Sequence, residues 1–528
     1  MTVAASRRTA LSPEPVVILE NAFQNPYDNA VATARTCYSS KVIHAADVTA
    51  TPEAKIRRDS IAQSIYQAGH HTTIQHATFQ FVLDKVSRQM IWSFLHSHPF
   101  YNSEQVSQRY VEMKPENFTT PSLLEENVPV YQQAIGELME AYHTLAKMLE
   151  PTVVAEYRRL YPARNLEEKR WRGAIKKRCQ EVARYVLPVA THAHLYHTIS
   201  GLTLHRYHRL CQQFDAPLEQ KIVIDKMIAA VNAVDPDFFK FIEDALPLEE
   251  TLEYQLFKEF ADDAKKTWTR EFLAEFDRDM SGYSSKMVDY KINSEKVLAQ
   301  SVRSVLGLPA EALSDEKAID AVLNPAKNPY FSEALNLTSL SKLTRTLVHP
   351  HFTFKKKISH TADSQDQRHR MTPASRPVLI RQVLWDQPDY LIPVVVQANP
   401  EALAYYHDAM KRLWQRMASL INAGENEESV SYLLPNAFPI RFEESGDLLN
   451  FHHKWTHRLC YTAQEEIWKT SQEEVLQLQK TFPQLGKYFG APCWMRKQAG
   501  VRPFCPEGDR FCGVTVWTLP ISAYRRLI

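Results

Sequence analysis

The chain has 528 residues, of which 44% are hydrophobic and 23% are charged, and its formal net charge is +1. This length exceeds one ordinary hydrophobic core, so we expect two domains of a soluble globular protein. A near-neutral chain without a long basic tract gives no global electrostatic basis for binding nucleic acid. Neither GxGxxG nor GxxxxGK[ST] occurs, which excludes a dinucleotide fingerprint and a P-loop.

The N-terminus and the hydropathy pattern predict a cytoplasmic protein. Residues 1–18 contain no apolar run long enough for a signal peptide. No stretch approaches the roughly 20 apolar residues of a membrane span. Seven cysteines in a chain of this size do not indicate a disulfide framework. We therefore expect a reducing compartment and no membrane partner.

Paired segments recur in the same order and indicate a tandem repeat. In the first pair an apolar stretch runs into a helical pattern with one arginine. In the second pair aromatic and polar residues alternate, as in a half-buried strand. In the third a Leu-Pro dipeptide precedes a histidine-rich helical pattern that ends in HRLC. The pairs are 15–40 with 285–309, 76–85 with 349–357, and 182–211 with 430–460.

These repeats define the predicted domain organisation. We place the domains at 15–245 and 285–490, separated by a helical linker at 246–284 and followed by a cysteine-containing extension at 491–528. Neither repeat is purely helical or a regular alternation of strand and helix. The predicted class is therefore α+β.

One part of the first repeat resembles a known family. It reads GHHTTIQHATFQF at 69–81 and continues through SRQMIWSFLHS to SEQVSQRY at 103–110. This order is similar to the core of the flavin-dependent thymidylate synthases, whose signature is an Arg-His-Arg triplet followed by a stretch that ends Ser-x-Arg-Tyr. The resemblance covers most of 15–245 and, more weakly, 285–490. It implies two copies of that family's fold, an antiparallel sheet with helices.

The two repeats divide this signature between them. Fourteen residues after Phe354 the second repeat has Arg-His-Arg at 368–370, whereas the same spacing from Phe81 leads to Leu-His-Ser at 95–97. The first repeat instead retains Ser-x-Arg-Tyr at 107–110, which the second lacks. Because the gap to that ending is longer than in the family, His98 competes with His96 as the counterpart of the triplet's histidine.

The resemblance implies roles for individual residues. The implied substrate-binding residues are Gln105, Ser107, Arg109, Arg184, Gln365 and Arg458, for which Arg209 is an alternative because the HRLC segments slip between the repeats. The implied flavin-binding residues are His70, Arg368, His369, Arg370 and Asn450, and the implied catalytic residues are His70, Ser107 and Arg109. The same resemblance implies FAD as cofactor, dUMP as substrate, methylenetetrahydrofolate as carbon donor and NADPH as reductant.

The chemistry of these residue types suits those ligands. Guanidinium groups bind phosphate through paired, charge-assisted hydrogen bonds. A glutamine both donates and accepts, as the edge of a uracil ring requires. Hydride transfer from a reduced flavin needs no protein nucleophile. The family's sites lie between subunits of a tetramer, so the resemblance implies a homodimer that imitates it, with hybrid sites built from both repeats.

Three hypotheses stay open at this stage. The protein is either an active enzyme or a catalytically silent relative that binds nucleotide or flavin, since each repeat has lost part of the signature. A flavoenzyme acting on another pyrimidine or on a pterin is the third possibility.

At the C-terminus, Cys493, Cys505 and Cys512 are spaced more loosely than the paired Cys-x2–4-Cys units of zinc sites. We expect free thiols and no metal there, unless a histidine or a distant cysteine joins them.

Overall fold

The computed structural model describes residues 11–95, 100–241, 244–260, 265–333 and 341–528. Within these ranges, eight strands form two antiparallel four-stranded sheets, each with its own helices. The predicted α+β class, with an antiparallel sheet and helices in each repeat, is confirmed. In the described part of the chain, no helix is long and apolar enough to cross a membrane.

The two sheets share one topology. The first has the spatial order β1-β2-β4-β3, with β1 (Val16–Ala22), β2 (Thr78–Ser87), β3 (Tyr101–Gln105) and β4 (His192–Ser200). The second has the order β5-β6-β8-β7, with β5 (Ser285–Tyr290), β6 (His351–Ser359), β7 (Ala374–Ser375) and β8 (Pro439–Asp447). Identical strand order in the two halves is the structural form of the repeat that the sequence predicts. The two predicted half-buried strands are the central strands β2 and β6.

Helices precede and follow the strands of both sheets. Up to the start of β5 they are α1 (Pro26–Thr36), α2 (Pro52–Gln67), α3 (Arg88–Leu95), α4 (Val128–Leu160), α5 (Lys169–Ala183), α6 (Gly201–Leu210), α7 (Leu218–Val234), α8 (Leu252–Glu259) and α9 (Lys265–Met280). The remainder are α10 (Ser294–Leu306), α11 (Asp315–Leu323), α12 (His360–Asp366), α13 (Val394–Gln397), α14 (Pro400–Asn422), α15 (Glu427–Ser431), α16 (Leu448–Arg458), α17 (Glu465–Thr481), α18 (Pro483–Gly486) and α19 (Pro492–Gln498). Short 3-10 turns occur between them, among them His71–His76 and Arg184–Val186.

The chain divides into two compact units, each made of discontinuous segments. Unit 1 comprises Met1–Met139, Pro188–Thr267 and Gln415–Leu434 and contains the first sheet. Unit 2 comprises Glu140–Leu187, Trp268–Trp414 and Pro435–Ile528 and contains the second sheet. Each unit therefore includes a segment that comes from the other predicted domain.

The buried face of each sheet packs against helices of its own unit. In unit 1 the side chains of Phe79 and Phe81 on β2 are fully buried in one apolar cluster with Met227 of α7. In unit 2, Phe352 and Phe354 of β6 occupy the same positions and pack with Trp455 of α16. The period-two alternation of aromatic residues thus places one face of each central strand in its core.

A cap serine precedes each of α3 and α12, the helices that follow β2 and β6, and the two serines make matching hydrogen bonds. The Ser87 N–H and hydroxyl donate to the Glu219 carboxylate of α7, at 2.7 and 2.5 Å. The Ser359 N–H and hydroxyl donate to Glu466 of α17 in the same way, at 2.6 and 2.5 Å. Since both serines occupy the same place in their sheets, they provide a common origin for comparing the repeats.

Strand β2 is one residue longer than β6 between its core phenylalanine and this cap. The pairing of β2 with β4 shifts between Leu83 and Val86, whereas β6 pairs regularly with β8. A bulge of this kind adds a residue to one strand without adding a partner. It lengthens the stretch from Phe81 to Ser87 relative to its counterpart in the second repeat.

The bulge changes the predicted alignment of the signature. Counted from the two cap serines, Leu95 corresponds to Gln367, whereas the spacing from the phenylalanines pairs it with Arg368. The predicted alignment is therefore wrong by one residue. His96 and its competitor His98 lie at 96–99, outside the described residues.

Candidate functional site

A cavity of about 600 Å³ lies in unit 1, beside the end of α2 and one face of α6. Its wall combines apolar and aromatic side chains with amides and cationic groups. The lining residues are Gln63, Tyr66, Gln67, Gly69, His71, Ile74, Leu202, His205, Arg206, Arg209 and Phe241. A largely apolar cavity with a few polar groups on its wall is typical of a site for a small ligand.

A left-handed turn after α2 brings one histidine to this cavity. Gly69 has φ 75°, a conformation that costs a glycine little because it has no Cβ. The next residue, His70, is exposed, whereas His71 lines the cavity with its Nε2 3.2 Å from the Tyr66 carbonyl oxygen. The predicted flavin-binding His70 therefore lies beside the cavity, and its neighbour lines it.

Helix α6 supplies the cationic wall. It begins at Gly201, where a Cβ would lie 2.5 Å from the Phe238 ring and 2.9 Å from the Ile74 carbonyl oxygen. Only a residue without a side chain allows this close approach. The helix then presents Arg206 and Arg209, which are three positions apart and thus neighbours on one helix face, to the cavity.

Substituting Gly201 by alanine is expected to lower the free energy of unfolding by about 1–3 kcal/mol, because the added methyl group overpacks the contact with Phe238. Urea denaturation of the full chain measures this change. Gly136→Ala in α4 is the matched control, since a Cβ there meets nothing within 4 Å. That variant is expected to be as stable as the wild type or more stable. Equal stability of the two variants would show that α6 does not need its glycine.

The positive charge of the cavity comes from its arginines. Burial, together with the nearby His208 and His71, lowers the pKa of His205 to about 3. The His205 imidazole is therefore neutral at physiological pH, whereas Arg206 and Arg209 are permanently charged. Two guanidinium groups on a wall that also has aromatic side chains suit a ligand that has both a ring and a phosphate group.

The sequence predicted only part of this site. His70 and, as an alternative, Arg209 were predicted as binding residues, whereas His71 and Arg206 were not. The available signals were the histidine doublet at 70–71 and the three-residue spacing of the two arginines in LHRYHRL. Both signals depend on knowing where the helices begin, which the turn at Gly69 and the cap of α6 decide.

The Ser-x-Arg-Tyr segment forms a tight turn directly after β3. The Arg109 N–H donates to the Ser107 hydroxyl oxygen at 3.3 Å, and the Tyr110 N–H donates to the Ser107 carbonyl oxygen at 3.1 Å. The buried Arg88, which the sequence reasoning did not single out, donates to the Gln105 side-chain oxygen at 3.2 Å. The structure thus gathers three predicted substrate-binding residues on one turn of unit 1. They are not among the residues that line the cavity.

Arg184 has a different environment from the other predicted substrate ligands of the first repeat. It is buried in the 3-10 turn Arg184–Val186, and its carbonyl oxygen accepts a hydrogen bond from the Asn436 side chain at 3.0 Å. The structure assigns it to unit 2, whereas Ser107 and Arg109 belong to unit 1.

Three predicted residues of the second repeat contact one another. The Arg458 Nε donates to the His369 Nε2 at 2.9 Å, and its Nη2 donates to the Gln365 carbonyl oxygen at 3.2 Å. Burial and the Arg458 charge hold the pKa of His369 well below its ordinary range. His369 is therefore a neutral imidazole that accepts from an arginine. The flanking Arg368 is exposed, and Arg370 is half-buried.

Asn450 serves as part of a helix cap. Its backbone N–H and its side-chain amide both donate to the Asp447 carboxylate, at 2.9 and 2.9–3.0 Å. Asp447 is the residue before α16, so this contact stabilises the first turn of that helix. The predicted flavin ligand thus has its amide engaged within its own repeat.

The caps also fix the register of the two HRLC helices. Ser200 caps α6 and Asp447 caps α16, each accepting from the backbone N–H three residues later. Counted from these caps, Arg458 corresponds to Cys211 and not to Arg209. The two HRLC segments are therefore offset by two residues, and the two candidate arginines do not occupy equivalent positions.

The repeats differ in the residues that lie beneath the sheets. In unit 1 the rings of Phe94, His197 and Tyr207 cluster, with centroids 5.1 Å apart for the first pair and 5.8 Å apart for the last two. Burial lowers the pKa of His197 to about 3, so this cluster is uncharged at neutral pH. It forms an aromatic core.

Unit 2 has a buried ionic network at the corresponding positions. Counted from the caps and along the paired strands, Leu83, Phe94, Tyr101, His197, Tyr207 and Met227 correspond to Lys356, Asp366, Thr372, Glu444, Lys454 and Glu474. The Lys356 Nζ lies 2.9–3.1 Å from Asp366, Glu444 and Glu474. The Lys454 Nζ lies 2.5–2.7 Å from Glu444 and Asp366.

Known proteins resemble both halves of the chain. The family model described as thymidylate synthase complementing protein matches residues 18–237 and 286–484. A flavin-dependent thymidylate synthase of Clostridium tetani is 25% identical over 224 residues, which cover 41% of this chain and 82% of that protein. One of Nitratidesulfovibrio vulgaris is 25% identical over 239 residues, covering 44% of this chain and 83% of that protein.

Among solved structures, a UMP/dUMP methylase PolB from Streptomyces cacaoi, bound with 5-Br dUMP, aligns at 18% identity with a TM-score of 0.29. The alignment covers 43% of this chain and 94% of the methylase chain.

The two family matches together span most of the 528 residues, one match in each repeat. The chain therefore belongs to the thymidylate synthase complementing protein family, as a tandem duplication with a divergent second repeat.

Proposed function

We propose that this protein is an FAD-dependent thymidylate synthase that converts dUMP to dTMP, with methylenetetrahydrofolate as carbon donor and NADPH as reductant. The observation that carries the proposal is the cationic cavity of about 600 Å³ in the repeat that retains Ser-x-Arg-Tyr. Family membership of both repeats supports the same reaction class.

The cavity fits the cofactor that this reaction class uses. FAD combines a planar ring system with a pyrophosphate, and the wall offers both Tyr66 and Phe241 and the charges of Arg206 and Arg209. These arginines would hold the pyrophosphate, and the exposed His70 would contact the flavin from the edge of the cavity. When bound and reduced, the flavin supplies the hydride.

The turn after β3 suits the phosphate of dUMP. Because the Ser107 oxygen accepts from the Arg109 N–H, its hydroxyl proton is left to donate to a phosphate oxygen. The guanidinium of Arg109 would add a charge-assisted hydrogen bond. Gln105, held by Arg88, would complete this substrate-binding turn.

The second repeat would complete the site from another copy of the chain. We propose a homodimer in which Arg368, His369 and Arg370 of one chain reach the flavin held by the first repeat of its partner. Arg458 supports this arrangement because its contact with His369 holds that turn in place. Arg184 and Gln365 remain proposed substrate contacts.

Flavin titration of the purified protein, followed by assay of dTMP formation, tests the proposal. The wild type is expected to bind FAD and to form dTMP from the three co-substrates. Arg209→Leu is expected to weaken FAD binding about 10- to 100-fold, because a lost charged hydrogen bond costs about 1.5–3 kcal/mol. Arg57→Leu, at an exposed position on α2, is the matched control and is expected to bind as the wild type does.

The outcomes separate the competing functions. A colourless protein that binds no added flavin would refute both flavoenzyme hypotheses and leave a silent relative. Flavin binding without dTMP formation, and without rescue of a thymidine auxotroph, would favour a flavoenzyme that acts on another pyrimidine or on a pterin.

A further inference from the structure

The charge of this near-neutral chain is unevenly distributed. Residues 156–181, 507–514 and 525–528 all belong to unit 2. These segments contain 12 arginines and lysines and 6 acidic residues, a net charge of +6, whereas the whole chain has +1. The total of +6 already includes carboxylates that pair with the segments' own arginines, such as Glu156 with Arg159. The rest of the protein therefore has a net charge of −5.

Direct contacts join these segments. The rings of Tyr161, directly after α4, and Trp171, in the first turn of α5, have centroids 4.6 Å apart. The Tyr161 hydroxyl donates to the Phe511 carbonyl oxygen at 2.6 Å, and the Arg170 Nη2 donates to the Asp509 carbonyl oxygen at 2.8 Å. The end of α4, helix α5 and the C-terminal extension thus form one continuous surface of unit 2, the basic face.

Helix α5 carries much of the positive charge of the basic face. It packs through Trp171, Ile175 and Cys179, which are four positions apart and buried. The cations occupy the solvent-exposed positions of the helix and of its first turn, namely Lys169, Arg170, Arg172, Lys176 and Lys177. A helix of 15 residues is about 22 Å long, so this row of cations is longer than one small anion.

A cavity of about 100 Å³ lies in the same face. The arginines on its wall are Arg159, Arg178, Arg510, Arg525 and Arg526. Glu156 also lines the cavity, and both of its oxygens accept from Arg159, at 2.7 and 2.5 Å. The Arg525 guanidinium donates to the Ser522 and Tyr524 carbonyl oxygens, which are neutral acceptors and do not neutralise its charge. Since one buried water needs about 10–15 Å³, the cavity has room for a phosphate group.

We propose that the basic face binds the phosphate backbone of a nucleic acid. A row of exposed cations with a cationic cavity beside it matches a chain of phosphates better than a single anion. Nine of the 12 cations are arginines, whose planar guanidinium groups bind phosphate in bidentate fashion. A membrane-surface helix would also insert apolar groups, but none of the exposed large apolar side chains in the described part of the chain lies in these three segments.

Binding of this kind depends on charge and not on base sequence. The cavity arginines would hold one phosphate group, and the cations of α5 would contact the phosphates that follow it. Contacts to the backbone fix position but do not read bases. Because the rest of the chain has a net charge of −5, a polyanion is directed to this face. The proposal does not depend on the proposed reaction, whose flavin cavity lies in unit 1.

Fluorescence polarisation of a labelled poly(U) RNA of about 20 nucleotides, titrated with the full-length protein, tests the assignment. The wild type is expected to bind with a Kd of about 1–100 µM at 150 mM KCl. The logarithm of its affinity is expected to fall linearly with the logarithm of the salt concentration, with a slope of about −0.7 for each phosphate contacted. The triple variant Lys169→Gln/Arg172→Gln/Lys177→Gln is expected to bind at least about tenfold more weakly, with a slope reduced in magnitude by about 2.

The matched control is Lys41→Gln/Lys55→Gln/Arg57→Gln. It removes three exposed cations from unit 1, so it changes the net charge of the chain by the same amount. This control is expected to bind the RNA within about twofold of the wild type, because the lost charges are not on the basic face.

Three results would overturn the proposal. One is a wild-type Kd above about 1 mM even at 50 mM KCl, a measurement that needs no variant. The second is equal weakening in the two triple variants, which would show that only the total charge of the chain matters. The third is competition by poly-L-glutamate of equal charge that is as strong as competition by unlabelled poly(U), which would identify a surface for acidic proteins instead of phosphates.

Discussion

The purified heterodimer of Arg109→Ala and Arg368→Ala chains is expected to form dTMP at about half the wild-type rate, although each variant alone is nearly inactive. In the proposed homodimer every site takes the turn at Ser107–Tyr110 from one chain and the triplet at 368–370 from its partner. One of the two sites in the heterodimer then contains both substitutions. The other contains neither, because its two halves come from the unmodified repeats.

The loss of activity in each parent variant has a physical basis. Arg109 and Arg368 are each proposed to form charged hydrogen bonds to phosphate groups, and one such bond contributes about 1.5–3 kcal/mol. Removing it lowers binding by about 10- to 100-fold per bond, and more where the guanidinium binds in bidentate fashion. Arg368 is exposed, so its truncation is not expected to alter the stability of unit 2.

Differently tagged chains expressed together, and purified with both tags in sequence, provide the heterodimer. The same procedure applied to two Arg109→Ala chains is the control, since neither of its sites is intact. A heterodimer that is as inactive as the two parent variants would show that both halves of a site come from one chain. Full activity in the Arg368→Ala parent would show that the triplet takes no part in the reaction.

The sequence predicted the features that depend on local periodicity. Alternating aromatics marked β2 and β6, and the order of paired segments marked the repeat, because each is a pattern within a short window. The register of the triplet was wrong because the bulge between Leu83 and Val86 adds a residue that leaves no mark in the hydrophobic pattern. Pairing with another strand creates the bulge, so a single strand's sequence does not reveal it.

The candidate site shows the same division between local and long-range information. His70 and Arg209 could be identified from the sequence because they lie in short, recognisable motifs. Arg206 and His71 were missed because their position at the cavity depends on where α6 begins and on the turn at Gly69. Cys460 lines one small cavity with Cys493, Cys505 and Cys512. Only the packing of distant segments brings it there, and the spacing of cysteines along the chain does not predict that packing.

The ionic network of unit 2 was also invisible in the sequence. Lys356 belongs to the run KKK at 355–357, the charged end of the predicted half-buried strand at 349–357, yet its side chain is 0% exposed. Burial alone would raise the pKa of Asp366, but the charges of Lys356 and Lys454 lower it below its ordinary range. Asp366 is therefore ionised, and the network holds lysine cations against carboxylates in the core.

Lys356→Met is expected to lower the free energy of unfolding by about 3–5 kcal/mol at pH 7, because it leaves carboxylates buried with too little positive charge. The Lys356 Nζ contacts Asp366, Glu444 and Glu474, whereas the Lys454 Nζ contacts only the first two of these carboxylates. Urea denaturation of the full chain, followed by tryptophan fluorescence, measures the loss. The neighbouring Lys357→Met is the matched control, since Lys357 makes one partly exposed ion pair with Asp277. That pair contributes about 0–1 kcal/mol.

Replacing the whole network at once is expected to have the opposite outcome. The first repeat contains a set of residues that fills the same positions without charge, so the corresponding substitutions are Lys356→Leu, Asp366→Phe, Glu444→His, Lys454→Tyr and Glu474→Met, with Thr372→Tyr. Exchanging a buried ionic cluster for well-packed apolar groups leaves the protein's stability unchanged or raises it by about 1–4 kcal/mol, whereas removing one charged partner lowers the stability. The effects of the single substitutions therefore do not add. If Lys356→Met costs no more than Lys357→Met, the carboxylates beneath the second sheet are not ionised. The divergence of the second repeat would then have exchanged an aromatic core for a neutral polar one.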